Sequence, residues 1–183
     1  MTKQPTLTTP RLILRPFTLA DAPAVQRLAG DLAIADTTAN IPHPYEDGMA
    51  EAWISLHAVE FEQKTTAVFA VTLKETGELV GVISLFSLRA AFERAEMGYW
   101  IGVPYWGKGY CSEAAKALLR YGFDELGLNR VFAEHMVRNP ASGRVMEKAG
   151  MTYEGTLRQH IKKWDRYEDL KVYGILRSEL RGG

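Results

Sequence analysis

The sequence predicts an α/β (α+β) fold with a single mixed, mostly antiparallel, twisted sheet that carries helices on both faces. Strand-like and helical segments alternate in the order β-α-α-β-β-β-α-β-α-β-β, which favours a layered arrangement of this kind. Residues 95–136 run strand, glycine loop, helix and strand, and such a crossover makes its two strands a parallel pair at the centre of the sheet. The length of 183 residues and the hydrophobic content of 46% suit a single domain over residues 1–183.

The first elements are read from their start and stop signals. Residues 11–16 predict a strand that ends at a proline. Residues 18–30 predict a helix, because Thr18 and Asp21 have the spacing of a capping hydroxyl and an acid three residues on. Residues 31–47 are polar and rich in proline, so we expect a loop there, and a long connection in a compact domain is often functional.

A second helix and three strands follow. Residues 46–62 predict the helix. Two β-rich runs at residues 66–73 and 78–86 are separated by a turn with glycine, which predicts a hairpin. Residues 94–103 predict the next strand.

The second half of the chain begins with an amphipathic helix. Apolar residues recur at three- or four-residue steps over residues 112–126, and Gly127 supplies a stop signal. A strand at residues 130–136 and a short helix at residues 139–149 come next. Two further strands around a turn near Asp165 complete the predicted sheet.

Composition and charge exclude several classes of function. Lysine plus arginine equals aspartate plus glutamate at 22 each, so the net charge gives no reason to expect a nucleic acid or an anionic membrane as partner. The single cysteine excludes an internal disulfide, and the four histidines share no ligand spacing, so we expect no metal. Residues 1–5 lack the features of a signal peptide, and no apolar run approaches the length of a membrane span. We therefore expect a cytoplasmic protein.

The segment from residue 103 to residue 114 is the most informative motif. An extended stretch runs into a turn containing Gly107 and Gly109 and opens directly into a helix. Glycines let the backbone turn sharply and approach a ligand, while the free N–H groups at residues 108–112 and the helix dipole suit a pyrophosphate. The common nucleotide loops do not match, because there is no G-x-x-x-x-G-K-[ST] and Ser112 occupies the last glycine of G-x-G-x-x-G. The motif predicts a nucleotide or coenzyme ligand.

Three blocks in this order resemble the GNAT N-acetyltransferase superfamily, and most closely its RimJ/RimL-like branch. The blocks are residues 94–101, the glycine loop and residues 139–151. Trp106-Gly-Lys-Gly-Tyr-Cys111 aligns with the family pattern [QR]-x-x-G-x-[GA]. Trp106 and Cys111 depart from that pattern. The resemblance covers nearly the whole chain.

The resemblance implies acetyl-CoA as cosubstrate and direct transfer of its acetyl group to a primary amine in a ternary complex, with no metal. The leading acceptor is the N-terminal α-amine of a protein or peptide. A small-molecule amine (polyamine, amino acid or aminoglycoside) is the alternative, and an acyl-CoA sensor without turnover is a rival from another class. Both a monomer and a homodimer remain open. The residues expected to bind coenzyme are Ile101, Val103, Trp106, Gly107, Lys108, Gly109, Tyr110, Cys111, Ser112 and Asn139.

The expected catalytic residues are Glu96 and Ser142. Strand alternation sets Glu96, Gly98 and Trp100 on one face, where a carboxylate beside Trp100 is expected to have a raised pKa suited to a general base. The alternative is a Glu96 that pairs with an arginine or anchors a substrate ammonium. By resemblance, Ser142 assists the leaving sulfur, and its alternative is an ordinary serine in the first turn of a helix.

Other candidate residues also have structural explanations. A helix N-terminus favours a lowered thiol pKa at Cys111, but no base is spaced to activate it, so we expect a packing role. The acceptor pocket candidates are aromatic residues on the long loop and near the last hairpin, each of which could equally be a packing residue. They are His43, Tyr45, Trp53, His160 and Trp164.

Overall fold

The computed structural model describes residues 4–180, so residues 1–3 of the N-terminal segment and residues 181–183 lie outside the described part. Within it the chain forms one eight-stranded sheet in the order β1-β2-β3-β4-β5-β6-β8-β7. The strands are β1 (Leu7–Thr8), β2 (Leu12–Arg15), β3 (Ala67–Leu73), β4 (Leu79–Arg89), β5 (Arg94–Ile101), β6 (Arg130–Met136), β7 (Thr152–Lys163) and β8 (Arg166–Leu176). The helices are α1 (Ala22–Ala29), α2 (Leu32–Thr37), α3 (Met49–Glu62), α4 (Tyr110–Asp124) and α5 (Pro140–Lys148).

The sheet is mixed as predicted, because β5 and β6 are parallel and the other described pairs are antiparallel. Helix α4 makes the crossover between β5 and β6. The parallel register joins Arg94 to Arg130 and Glu96 to Phe132. The predicted central parallel pair is therefore confirmed, and the glycine loop lies at its crossover.

Helices cover both faces of the sheet, as the alternation of strand residues requires. On one face Leu118, Leu119 and Phe123 of α4 pack with buried strand residues such as Met97 and Val131 in the larger apolar cluster. On the other face α1 and α3 form a smaller cluster. Its buried residues are Ala22, Val25, Ala29, Ala50, Ile54, Ala70 and Leu79.

The expected loop at residues 31–47 is wrong in its first part, which forms α2. The Asp31 carboxylate caps this helix by accepting from the Ala33 N–H at 2.9 Å. The apolar side chains of Ile34 and Ala35 are then buried. The prolines that indicated a loop begin only at Pro42, so they do not affect the earlier residues.

The first strand of the sheet and the start of α4 also differ from the prediction. The short strand β1 was not predicted, and it pairs with β2 through Leu7 opposite Leu14. Helix α4 begins at Tyr110 rather than Ser112, because Gly109 with φ of 79° supplies the break just before it. No helix in residues 4–180 is long and apolar enough to cross a membrane.

Candidate active site

A cleft opens in the sheet where β5 and β6 separate. Their pairing ends at Glu96 and Phe132, although both strands continue. On its other edge β5 stays paired with β4, and Gly102 N–H donates to the Val80 carbonyl at 2.9 Å. Bonded and non-bonded residues alternate along an antiparallel ladder. Ile101, the residue before Gly102, therefore directs its backbone groups away from β4 and into the cleft.

Ile101 and Val103 are both expected to bind coenzyme, but their carbonyl groups already have hydrogen-bond donors within the chain. The Ile101 carbonyl accepts from the Trp106 indole Nε1–H at 2.5 Å. The Val103 carbonyl accepts from the Trp106 N–H at 3.2 Å. Both carbonyls are thus occupied, while the Ile101 N–H still faces the cleft.

The glycine loop has the backbone geometry of an anion site. Gly107 and Gly109 have φ of 74° and 79°, a region that favours glycine. No heavy atom lies within 4 Å of a Cβ built at Gly107, so that part of the loop borders open space. The first N–H groups of a helix have no partner within it, which leaves those of Tyr110, Cys111 and Ser112 at the start of α4 available to a ligand.

Glu96 lies where the β5–β6 pairing ends. It is partly buried, and Phe86 of β4 stands opposite it on the same sheet face. Burial raises the pKa of Glu96 to about 7, and the nearby charge of Glu134 adds to that rise. Glu134, two residues beyond Phe132 on β6, is a second carboxylate on this face that the sequence reading did not single out.

Ser142 is positioned by a local cap and by a long-range contact. Asn139 caps α5 by accepting from the Ser142 N–H at 3.4 Å. The Tyr99 hydroxyl lies 2.9 Å from both the carbonyl oxygen and the Oγ of Ser142. Burial, with a smaller effect of nearby Cys111, raises the pKa of Tyr99 well above its usual value, so the phenol keeps its proton. Tyr99 and Ser142 form a hydroxyl pair that joins β5 to α5.

Tyr99 was not singled out from the sequence, although strand alternation offers a signal. Tyr99 lies between Gly98 and Trp100, so its side chain points to the face opposite Glu96. That is the face on which α4 and α5 pack. The hydroxyl pair and the Glu96 carboxylate therefore approach the cleft from opposite faces of the sheet.

Cys111 behaves as a packing residue. Burial raises the pKa of its thiol far above the usual value, so the lowered pKa expected at a helix N-terminus is wrong. The side chain packs against the larger apolar cluster. Desolvation outweighs the helix dipole here and keeps the sulfur protonated.

Polar contacts hold the C-terminal end of α2 and the segment after it against the end of the sheet. Arg138, just beyond β6, pairs with Asp36 at 2.5 Å and with Glu168 of β8 at 2.8 Å. Lys163 Nζ donates to the Ile41 carbonyl at 2.9 Å. Val172 of β8 stands opposite Glu134, and Glu168 lies four residues before Val172, so all three side chains share one face of the sheet. The segment therefore lies on the face that carries Glu134.

The aromatic candidates for an acceptor pocket separate into two groups. Tyr45 and Trp53 pack against the smaller apolar cluster, and the Trp53 ring lies 4.3 Å from that of His57. His43, His160 and Trp164 are exposed. In residues 4–180, no group of three or more His, Cys, Asp or Glu side chains is arranged to hold a metal ion.

Comparison with known proteins agrees with this geometry. A family model described as an acetyltransferase (GNAT) domain matches residues 11–152. The chain is 32% identical over 173 residues to the uncharacterized N-acetyltransferase YoaA of Bacillus subtilis, covering 94% of this chain and 97% of YoaA. It is 33% identical over 115 residues to the ribosomal-protein-serine acetyltransferase of Escherichia coli, covering 63% and 64% of the two chains.

A solved structure extends the comparison to the arrangement of the elements. A spermidine N-acetyltransferase SpeG chimera from Vibrio cholerae and hSSAT superposes with a TM-score of 0.79 at 25% identity. The match covers 92% of this chain and 97% of the chimera. The chain therefore belongs to the GNAT family and is an acetyl-CoA-dependent N-acetyltransferase.

Proposed function

We propose that the protein acetylates the N-terminal α-amine of a protein or peptide, with Glu96 as general base. The observation that carries this proposal is the Glu96 carboxylate at the end of the β5–β6 pairing, with a pKa of about 7. An α-ammonium has a pKa of about 8, whereas a lysine-type ammonium has one of about 10. Transfer of a proton to Glu96 is therefore unfavourable by about one pKa unit from an α-ammonium and by about three from a lysine-type ammonium.

The two faces of the cleft have different roles in the reaction: one receives the amine and the other assists the leaving thiolate. Acetyl-CoA lies between the diverging strands with its diphosphate on the loop at residues 107–112, and the amine approaches from the face of Glu96. The neutral nitrogen attacks the thioester carbonyl, a C–N bond forms and the C–S bond breaks. Ser142 Oγ, held by the Tyr99 hydroxyl, donates its proton to the departing thiolate, and the second proton that the nitrogen loses as the amide forms returns to the serine through solvent. The similarity to a ribosomal-protein-serine acetyltransferase supports a protein acceptor.

A polyamine acceptor is the second candidate, and Glu134 is the observation that favours it. Its carboxylate shares the Glu96 face and acts on the Glu96 charge. A pair of carboxylates suits an acceptor with a second ammonium group. The similarity to a spermidine N-acetyltransferase chimera agrees with this candidate.

An acceptor panel separates the candidates. Thiol release from acetyl-CoA is measured with peptides that have a free N-terminus, with the same lysine-containing peptides blocked at the N-terminus, and with spermidine. We expect turnover of the free peptides alone. Turnover of spermidine alone, with a KM that Glu134→Gln raises while leaving the acetyl-CoA KM unchanged, would transfer the assignment to polyamines. Turnover of blocked peptides would identify lysine as the acceptor and contradict the pKa argument.

A further inference from the structure

Arg11, just before β2, reaches across to the glycine loop 97 residues later in the chain. Its Nη1 donates to the Lys108 carbonyl at 2.9 Å. Its Nε donates to Glu113 Oε2 at 2.7 Å, and its guanidinium lies 4.8 Å from the centre of the Tyr110 ring. One side chain thus contacts the loop, the first helical residue and the first turn of α4.

The partner of Arg11 is itself firmly held. Glu113 also accepts from the Arg11 backbone N–H at 2.9 Å and from Thr9 Oγ1 at 2.7 Å. Burial alone would raise the pKa of Glu113, but these hydrogen bonds and the Arg11 charge lower it below its usual value. Glu113 is therefore ionised and neutralises Arg11. The pair can orient the loop, but it adds little net charge to attract an anion.

The contact with the Lys108 carbonyl determines the direction of a neighbouring N–H. In a trans peptide the C=O and the following N–H point in opposite directions. Because Lys108 directs its carbonyl toward Arg11, the Gly109 N–H points away from Arg11. The positive φ of Gly109, the residue that follows this carbonyl, allows the orientation.

We infer that Arg11 is a positioning residue for acetyl-CoA, which holds the Lys108 carbonyl so that the Gly109 N–H is directed at the diphosphate. This inference rests on the proposed location of the diphosphate at residues 107–112. The planar guanidinium suits the role because its donors are fixed in a fork that engages Glu113 and the carbonyl together. An ammonium has no such geometry, so lysine is expected not to replace it.

The test compares Arg11→Ala and Arg11→Lys with the matched control Arg15→Ala. Arg15, the last residue of β2, makes a two-pronged pair with Asp21 at 2.7 and 2.8 Å, but it does not contact the loop. Both Arg11 variants should raise the acetyl-CoA KM roughly tenfold, the effect of one lost hydrogen bond to an anion, at nearly unchanged kcat. The control should leave this KM unchanged. Melting temperatures of all three measure the loss of stability separately.

A shortened donor isolates the diphosphate. S-acetylpantetheine has the thioester but no diphosphate, so its kcat/KM should be the same in wild type and in Arg11→Ala. Equal losses with both donors would overturn the inference in favour of a general structural effect. Recovery in Arg11→Lys, or an unchanged acetyl-CoA KM in Arg11→Ala, would also overturn it. If Gly109→Val weakens CoA binding in that last case, the loop assignment survives; if Gly109→Val has no effect either, the loop assignment fails too.

Discussion

The two sides of the cleft are built by different means. On the proposed donor side the backbone sets most of the geometry, through glycines of positive φ, the Asn139 cap and a helix packed on a buried apolar cluster, with the Arg11–Glu113 pair as an added side-chain contact. On the proposed acceptor side, side-chain ion pairs of Arg138 with Asp36 and Glu168 hold the C-terminal end of α2. Backbone geometry changes little when side chains are replaced. Partly exposed ion pairs contribute little to stability, so their residues can be substituted at low cost. The donor side is thus suited to one constant coenzyme and the acceptor side to a variable amine.

The largest effect is expected at Glu96, where the two sides meet. Glu96→Gln should lower kcat by about 10²–10⁴, the usual loss for a missing general base, with little change in CoA affinity. Wild-type kcat should fall as pH decreases through about 7, because the protonated carboxyl cannot accept the proton of the ammonium. The defect of the variant should shrink at higher pH, where more of the amine is already neutral. A pH-rate profile with one identified acceptor measures both.

A different result would assign Glu96 another role. If Glu96→Gln raises only the KM of the amine, and does so at every pH, the carboxylate is an ammonium anchor. Deprotonation would then belong to water or to another group.

Gly109→Val should impair CoA binding without affecting the acceptor side. A β-branched residue is strained at φ of 79°, and its Cβ would meet Arg11 Nη2 at 3.5 Å, so the loop should lose the arrangement of N–H groups proposed to bind the diphosphate, and CoA affinity should fall by roughly 100-fold or more. Gly127→Val is the matched control, since Gly127 has φ of 68° at the far end of α4 with open space around it. The control carries similar strain but should bind CoA normally in calorimetry. Equal CoA affinity in both variants would contradict the assignment of the loop.

Arg138→Ala should impair binding of the amine without affecting the donor side. Loss of the pairs with Asp36 and Glu168 releases the C-terminal end of α2, so the KM of the amine should rise roughly tenfold while the KM of acetyl-CoA stays constant. Arg130→Ala removes another two-pronged pair, with Glu154, and serves as control. A change in the acetyl-CoA KM of Arg138→Ala would mean that the two sides are not independent.

The smallest effect is expected at Cys111. Cys111→Ala should keep activity within about twofold, because burial holds the thiol protonated and direct transfer needs no covalent intermediate. Steady-state kinetics with saturating acetyl-CoA measure it. Isolation of a productive acetyl-Cys111 species would instead indicate a ping-pong mechanism.

What the sequence could predict depends on how far apart in the chain the contacting residues lie. The parallel pair, the break at Gly109 and the Asn139 cap arise from local signals, so they could be predicted. The contacts of Arg138 with Asp36 and of Arg11 with Lys108 join residues 102 and 97 positions apart, and no local pattern encodes them. Helix α2 was missed because the prolines that follow it indicated a loop. Tyr99 was missed because the candidate base Glu96 directs attention to the opposite face of the strand.

The gap between β5 and β6 also links the stability of the protein to its proposed ligand. A strand edge in the middle of a sheet leaves backbone groups such as the Ile101 N–H without a partner strand, and a donor molecule in the proposed position would pair with them. A ligand present at 100 times its Kd stabilises the folded state by about 2.7 kcal/mol. Proteolysis that proceeds through the unfolded chain should therefore slow by about 100-fold under those conditions. The abundance of this enzyme would then follow the supply of its own donor.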